Sequence, residues 1–349
     1  MVLVSILLNS LKTTLGQHPV VLTIITILAC HRLLRNFRQR RSRKGNSAIP
    51  RLPRTRERVL VIGASSGIGR AIAHEYASAG SRICLVGRRE QQLKQVTEEC
   101  VKLLPSMAAK GASDQAGTVL YVKADFNSVE DMVALREKME NEWGGLDTLI
   151  VSAGVSALRP LLEVAGSERG DGVTHPARTD VDGIKRAVSV ANAALEGNYL
   201  GPLISAVTFI PLLSSTSPAP SVVLISSLAA VIPAPTRSIY ASTKGASLLL
   251  YQSLAIEHPG IAFTHILPGT VEGDFRASAV DGGTVREADP NKHGLKREAV
   301  AKRCLKAIDH GEKAVFMPAI TARIGHLGYW LVPSVIERVA AKKYNYTVN

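Results

Sequence analysis

Tyr240 and Lys244, in the run Tyr240-Ala-Ser-Thr-Lys244, are four residues apart, so a helix would carry both side chains on one face. A tyrosine hydroxyl ionises near pH 10 and is a poor acid or base at neutral pH. An ammonium held beside it favours the phenolate, and such a pair could pass a proton to and from a substrate oxygen. The same spacing turns up by chance on surface helices, so its surroundings decide. Thirteen residues before Tyr240, the apolar run Ser221–Ile225 has just ended in the pair Ser226-Ser227. A hydroxyl at the end of a strand could hydrogen-bond a substrate carbonyl and stabilise charge developing there.

A second constellation lies near the start of the apolar body. Val59–Ile62 runs directly into Gly63-Ala-Ser65-Ser66-Gly67-Ile68-Gly69. Gly63 allows a tight turn, Gly67 leaves room for a pyrophosphate to approach the backbone, and Gly69 allows close packing of helix on strand. The helix that follows would offer free N–H groups and a positive dipole end to phosphates. The plain alternative is a tight turn with no ligand. After the next strand comes Gly87-Arg88-Arg89. An acid in this region holds the ribose 2′-hydroxyl of NAD, whereas an arginine accommodates the 2′-phosphate of NADP. Arg88 therefore points to NADP(H). The positive nicotinamide of the oxidised form would add to the effect of Lys244 on Tyr240, and a hydride could move to or from a carbon while the proton moves on oxygen.

The elements that must position these groups alternate regularly. Strands are predicted at Val59–Ile62, Ile83–Val86, Val119–Val122, Leu149–Val151, Ser221–Ile225, Ala262–Leu267 and Ala314–Met317. Helices are predicted at Gly69–Ala79, Glu90–Leu104, Ser128–Trp143, from about Ala187 through Leu200 toward Leu213, Ile239–Glu257 and Glu298–His310. Strand and helix in alternation imply an α/β fold, a Rossmann-type doubly wound parallel sheet in a single domain, with its ligand at the carboxyl ends of the strands.

The Gly63–Gly69 turn, the Tyr240/Lys244 pair and the upstream serine together resemble the short-chain dehydrogenases/reductases, over roughly residues 57–317. The resemblance selects Ser227 over Ser226 and implies four catalytic residues, Asn198, Ser227, Tyr240 and Lys244. Asn198 in Gly-Asn-Tyr-Leu-Gly would maintain a water and proton relay to Lys244, which would also hold the nicotinamide ribose. Asp125 resembles the family's adenine-contacting Asp. Ala153 and Gly154 match the end of its Asn-Asn-Ala-Gly signature, with Val151 and Ser152 in place of the two Asn. Pro268, Gly269 and Val271 resemble the turn beneath the nicotinamide, and Gly273 stands where the family commonly has Thr. Position 62, often Thr in the family, is Ile. The segment Thr270–Gly294 is then expected to close over substrate. Dimers and tetramers are common in the family, a homodimer being one state open to this chain. An inactive homologue that binds NADP(H) as a membrane scaffold or sensor is the alternative in kind.

The net charge of +13 invites a nucleic-acid reading, but eleven Lys/Arg and one acid fall between His31 and Arg58, leaving the body nearly neutral. No aromatic stacking set accompanies those arginines, so no nucleic-acid partner is expected. Hydrophobic residues make up 46% of the chain and aromatics 5%, which suits an aliphatic α/β core. Cys30, Cys84, Cys100 and Cys304 form no CxxC pair, and His175, His265, His293 and His326 lack ligand spacing, so no metal site is expected.

Val20–Leu34 is apolar except at its Thr residues, His31 and Arg32. With Val2–Leu15 it is long enough for a hydrocarbon core of roughly 30 Å. A cleaved signal peptide is disfavoured because the positive charge follows the apolar run, and a buried core helix because a basic, Pro-punctuated stretch separates it from the body. Arg35, Arg38, Arg40, Arg41, Arg43 and Lys44 would keep that flank in the cytosol and attract anionic headgroups. The expected organisation is a membrane anchor (1–34), a basic linker (35–56), the dehydrogenase domain (57–317) and an amphipathic extension (318–349) of two short helices, packed on the domain, capping the substrate entrance or touching the bilayer. Polar residues 166–182 read as a surface insertion. The expected activity is interconversion of a ketone and a secondary alcohol. The substrate would be lipophilic: a sterol or terpenoid, a sphingoid ketone, an acyl-dihydroxyacetone phosphate or a retinoid-like molecule. Anchored family members, relatives of type 1 11β-hydroxysteroid dehydrogenase, act on such molecules. The expected location is the endoplasmic reticulum membrane with a cytosolic catalytic domain.

Overall fold

The structure, a computed structural model, describes Arg32 and residues 52–105, 117–166, 179–277 and 279–346. The expected anchor, most of the basic linker and the centre of the 166–182 insertion lie outside the described residues. Seven parallel strands form one sheet in the order β3-β2-β1-β4-β5-β6-β7. They are β1 Arg58–Ile62, β2 Arg82–Gly87, β3 Val119–Lys123, β4 Thr148–Val151, β5 Ser221–Ile225, β6 Ala262–Pro268 and β7 Ala314–Met317. The chain winds outward from β1 in one direction and, after β3, returns beside β1 to wind the other way. β1 therefore pairs with both β2 (Val61 opposite Leu85) and β4 (Val61 opposite Ile150). A crevice opens at the carboxyl end of β1, where the strand order reverses.

Alternation along β1 divides the core between the two faces. Val59 and Val61 join Ile72, Tyr76, Leu93, Val300 and Cys304 on one face, under helices α1 (Gly67–Ser78), α2 (Glu90–Leu103) and α7 (Arg297–Asp309). Leu60 and Ile62 join Met132, Leu135, Phe209, Leu213 and Tyr251 on the other, under α3 (Val129–Trp143), α5 (Gly201–Thr216) and α6 (Ser238–Glu257). With both faces covered, strands such as Ser-Val-Val-Leu-Ile of β5 are buried at every position. At the edge of the domain, Arg54 lies 4.8 Å over the Tyr76 ring and pairs with Glu57 and Asp309. The last turn of the basic stretch is thus docked on the fold.

One helix departs from the sequence expectation. Instead of starting near Ala187, α4 begins at Val181 and runs to Leu195; it continues through a π-helical turn, Glu196–Leu200, into α5. Asp180 caps the start by accepting from the Gly183 N–H at 2.7 Å. Gly183 looks like a helix breaker, yet a Cβ there would fall 2.0 Å from the Ala165 carbonyl, so the glycine serves close packing. Val181–Thr216 is, among the described residues, the helix long and apolar enough to cross a membrane, but half of the qualifying stretch is buried. Phe209, Leu212 and Leu213 are in the core, so this is a core helix of the domain.

The extension forms the two expected helices, α8 (Ala319–Leu331) and α9 (Pro333–Lys343). Only part of it packs on the domain. Ala322 and Ala341 are buried, whereas Ile320, Ile324, Leu327, Trp330 and Leu331 are exposed.

Candidate active site

A cavity of about 690 Å³ occupies the crevice at the strand ends. At one end is the glycine turn between β1 and α1. Gly63 has φ +88°, and a Cβ on it would stand 2.5 Å from the Ala153 nitrogen. Gly69 lies against the Gly63 carbonyl, where a Cβ would come within 2.3 Å. Gly67 has φ +58° and nothing within 4 Å of its missing Cβ, so its open side faces the cavity. Two of these glycines are demanded by packing and the third leaves a cradle beside a helix N-terminus, the shape a pyrophosphate requires.

Arg88 and Arg89 line the same end of the cavity. The Arg88 side chain is 65% exposed and stands 3.7 Å from Asp125. Arg89 is the better-held cation: its Nη2 donates to the Ser65 and Ser66 hydroxyls at 2.8 and 2.6 Å. Arg88 was the arginine expected here, and Arg89 was not, since nothing local distinguishes two adjacent arginines. Only the approach of β2 to the β1 turn brings Arg89 onto the serines. Asp125 sits just outside the lining, which is formed by Ala124, Phe126 and Asn127; its Oδ1 accepts from the Asn127 N–H at 3.0 Å.

At the other end, Tyr240 and Lys244 project from the first turns of α6 into the cavity, and Ser227 meets them from the end of β5. Ser227 caps a short 3-10 turn, its Oγ accepting from the Ala229 N–H at 3.2 Å. Ser226 ends the ladder, its N–H donating to Ile266; its buried hydroxyl has no hydrogen-bond partner among the described residues. Lys244 Nζ donates to the Ile225 carbonyl at 3.3 Å, and burial lowers its pKa to about 8. Gly154, Pro268, Gly269 and Val271 complete the wall. A Cβ on Gly154 would fall 2.8 Å from Asn198 Oδ1 and 2.9 Å from Lys244 Nζ, so these groups stand side by side because that position has no side chain.

Asn198 is fully buried behind the wall, on the π-helical turn. Its Oδ1 accepts from the Val155 N–H at 3.0 Å, and its Nδ2 donates to the Val155 carbonyl at 3.0 Å and the Thr243 hydroxyl at 3.1 Å. The widened turn lets a helix residue reach the backbone beyond β4, and π-turns of this kind cluster at functional sites. The strand-end loop and the Tyr240/Lys244 helix are joined through this one amide.

Three charged residues missed in the sequence cover Tyr240. The Arg237 guanidinium lies 4.5 Å over the Tyr240 ring, Phe275 meets the ring edge-on at 6.1 Å, and Arg237 and Arg276 share Glu287 at 2.9 and 3.0 Å. All three charged side chains are at most 9% exposed. Burial acts to raise the Glu287 carboxyl, but the two guanidiniums outweigh it and hold it below the usual carboxylate range. Glu287 lies in the segment expected to act as a lid, and Thr270 Oγ1 also donates to it at 3.1 Å. Polar residues inside an irregular loop carry no sequence signal for such a contact.

Fold and cavity together define a dinucleotide-dependent oxidoreductase of the Rossmann type: a glycine cradle at one end, a Tyr/Lys/Ser set at the other. The family description "short chain dehydrogenase" matches residues 57–282, and the chain belongs to that family. It is 26% identical over 295 residues to 11-beta-hydroxysteroid dehydrogenase A of Sesamum indicum, covering 82% of this chain and 75% of that one. It is 28% identical over 307 residues to Dehydrogenase/reductase SDR family member 7B of Danio rerio, covering 84% and 88%. The fold is shared with a short chain dehydrogenase/reductase from Burkholderia phymatum solved in complex with NAD (TM-score 0.62, 19% identity, 80% of this chain and 96% of that one). It is also shared with an alcohol dehydrogenase from Thermococcus sibiricus complexed with 5-hydroxy-NADP (TM-score 0.54, 23% identity, 75% and 94%).

Proposed function

We propose that the protein is an NADP(H)-dependent ketoreductase, or the reverse alcohol dehydrogenase, acting on a lipophilic substrate at a membrane. The observation that carries this reading is the single cavity that joins the Gly63–Gly69 cradle and two arginines at one end to Tyr240, Lys244 and Ser227 at the other. A bound nicotinamide dinucleotide supplies hydride to the carbonyl carbon or accepts it from the alcohol. The rest falls to side chains. Tyr240 gives its proton to the substrate oxygen, and the neighbouring ammonium of Lys244 favours the phenolate that remains. Ser227 donates a hydrogen bond to the same oxygen and stabilises the charge that builds there. Asn198 holds Val155 and Thr243 in place, and with them the wall on which Lys244 rests.

The preference for NADP(H) rests on Arg88 and Arg89, which would meet a 2′-phosphate, with Ser65 and Ser66 orienting Arg89. A lipophilic substrate is supported by the hydroxysteroid dehydrogenase names of the relatives. Membrane attachment rests on the apolar run Val20–Leu34 and the basic cluster after it, which would leave the catalytic domain on the cytosolic side, with the endoplasmic reticulum as its expected organelle and a homodimer as its expected assembly.

The test is a panel of ketones followed by NADPH absorbance, with Tyr240→Phe as control. Turnover is expected with at least one lipophilic ketone, and the variant should lose it while still binding NADPH. Retained turnover in the variant would remove Tyr240 from the chemistry. NADPH binding without turnover on any carbonyl would favour the scaffold reading.

A further inference from the structure

Helices α8 and α9 are joined at Val332 and Pro333 and pack on each other: a Cβ on Gly328 would stand 3.0 Å from Ile336 Cδ1. One side of this hairpin holds to the domain. His326 Nδ1 meets the Val231 carbonyl at 2.9 Å, Asn345 Nδ2 donates to the Arg286 carbonyl at 2.7 Å, and Ala322, Ala341 and Tyr344 are buried. The other side is uncovered. Ile320, Ile324, Leu327 and Leu331 recur at helical spacing along α8, Trp330 and Val332 stand at the corner, and Val335 and Val339 continue the face along α9. Trp330 is 75% exposed and Leu331 79%. Single exposed apolar residues are ordinary on soluble proteins; a continuous set over two successive helices marks a contact surface.

The charge around this face selects its occupant. By helical spacing, Arg323 flanks it on α8, and Arg338 and Lys342 flank it on α9, against one acid, Glu337. An apolar helical face with an aromatic corner and a basic margin is the composition of a helix lying in an anionic lipid interface. A second copy of the chain would bring the same basic margin against itself. The position fits as well, because Lys343 and Tyr344 at the end of α9 line the cavity that holds Tyr240 and Ser227. We propose that the α8–α9 hairpin is a monotopic docking surface that seats the domain on an anionic bilayer, with the cavity mouth at the membrane. Docking does not depend on the hydride chemistry. That the mouth draws its ketone from the lipid rests on the proposed function.

The chain has two tryptophans, and Trp143 is buried against Arg82. A Trp143→Phe variant of the full chain therefore makes Trp330 its one fluorescent indole. It would be reconstituted in phosphatidylcholine vesicles with and without phosphatidylserine, some carrying bromine on the acyl chains. Expected are a blue-shifted Trp330 emission, at least twofold quenching by bromine near the top of the acyl chain, and weaker quenching by deeper bromine. If Trp143→Phe does not fold, the same quantity is the quenching of the natural chain minus that of Trp330→Phe. A water-like, unquenched emission from protein that floats with the vesicles would overturn the proposal. So would a blue-shifted emission that ignores bromine and reverts on protein dilution, the mark of a second copy on this face. In a kinetic arm, Leu327→Gln with Leu331→Gln should lower turnover of a vesicle-borne ketone at least tenfold and leave a water-soluble ketone unaffected. Equal rates on both ketones would overturn delivery from the membrane. Absence of turnover on any carbonyl, with quenching intact, would indict the proposed chemistry and support docking.

Discussion

The guanidinium of Arg237 covers the ring of Tyr240 at 4.5 Å from its centroid, and the same guanidinium is held by Glu287 at 2.9 Å. The residue proposed as proton donor therefore has a cation on its face as well as Lys244 on its helix. A phenolate gains more from that cation than a phenol does. We predict that Arg237→Met lowers kcat for alcohol oxidation about tenfold, because the charge carried by Tyr240 loses that cation, each tenfold being about 1.4 kcal/mol. Unchanged kcat would show that Arg237 only supports the loop. The variant should also unfold more easily, by on the order of 1–3 kcal/mol in denaturant, because Glu287 keeps one buried guanidinium in place of two.

Arg89 should matter to the cofactor's 2′-phosphate at least as much as Arg88, because Ser65 and Ser66 orient it. Loss of one charge-assisted hydrogen bond is worth roughly 1.5–3 kcal/mol. Arg89→Ala is therefore expected to raise KM for NADPH about tenfold or more and leave NADH nearly unaffected; Arg88→Ala should act in the same direction. Equal losses with both cofactors would assign the arginines to the shape of the turn.

Lys244 is a residue the fold bears at a cost. Burial lowers its pKa to about 8, below the ordinary value near 10.4 of the unfolded chain. Between these values the unfolded state binds more protons, so this group's contribution to stability rises as pH rises from about 8 toward 10.4 and is least favourable below that window. Lys244→Met is expected to abolish turnover and, at pH 7, to raise stability by on the order of 2 kcal/mol, an advantage that shrinks as pH rises from about 8 toward 10.4. Denaturant midpoints at pH 7 and pH 10 would check the sign. A variant less stable at pH 7 would mean that the ammonium is satisfied in the apo protein.

Gly154 tests the positioning of Asn198 and Lys244 without touching either. An alanine there would place its Cβ 2.8 Å from Asn198 Oδ1 and 2.9 Å from Lys244 Nζ. Displacement of about 1 Å at a reacting centre costs on the order of a hundredfold in rate. Gly154→Ala is expected to cut kcat by about that factor, with a modest stability loss measured by thermal melting. Unchanged kcat would show that the amide and the ammonium move aside freely.

The sequence alone determined the alternation of seven strands with helices, because a sheet buried on both faces writes each strand as a short apolar run between glycine-rich turns. It also placed the glycine turn, Tyr240 and Lys244, where each residue type answers to local geometry or chemistry, and the serine pair at the end of β5, from which the family resemblance selected Ser227. Tertiary structure alone decided which of two neighbouring arginines rests on Ser65 and Ser66. It set Arg237 and Glu287 over Tyr240, and it started α4 at Val181, where a glycine that reads as a breaker fits against the Ala165 carbonyl. It also left the apolar face of α8 and α9 bare where packing on the domain was the plainer expectation. The reason is the range of the forces: period and turn chemistry act over a few residues, whereas ion pairs and close packing join segments that only the folded chain brings together.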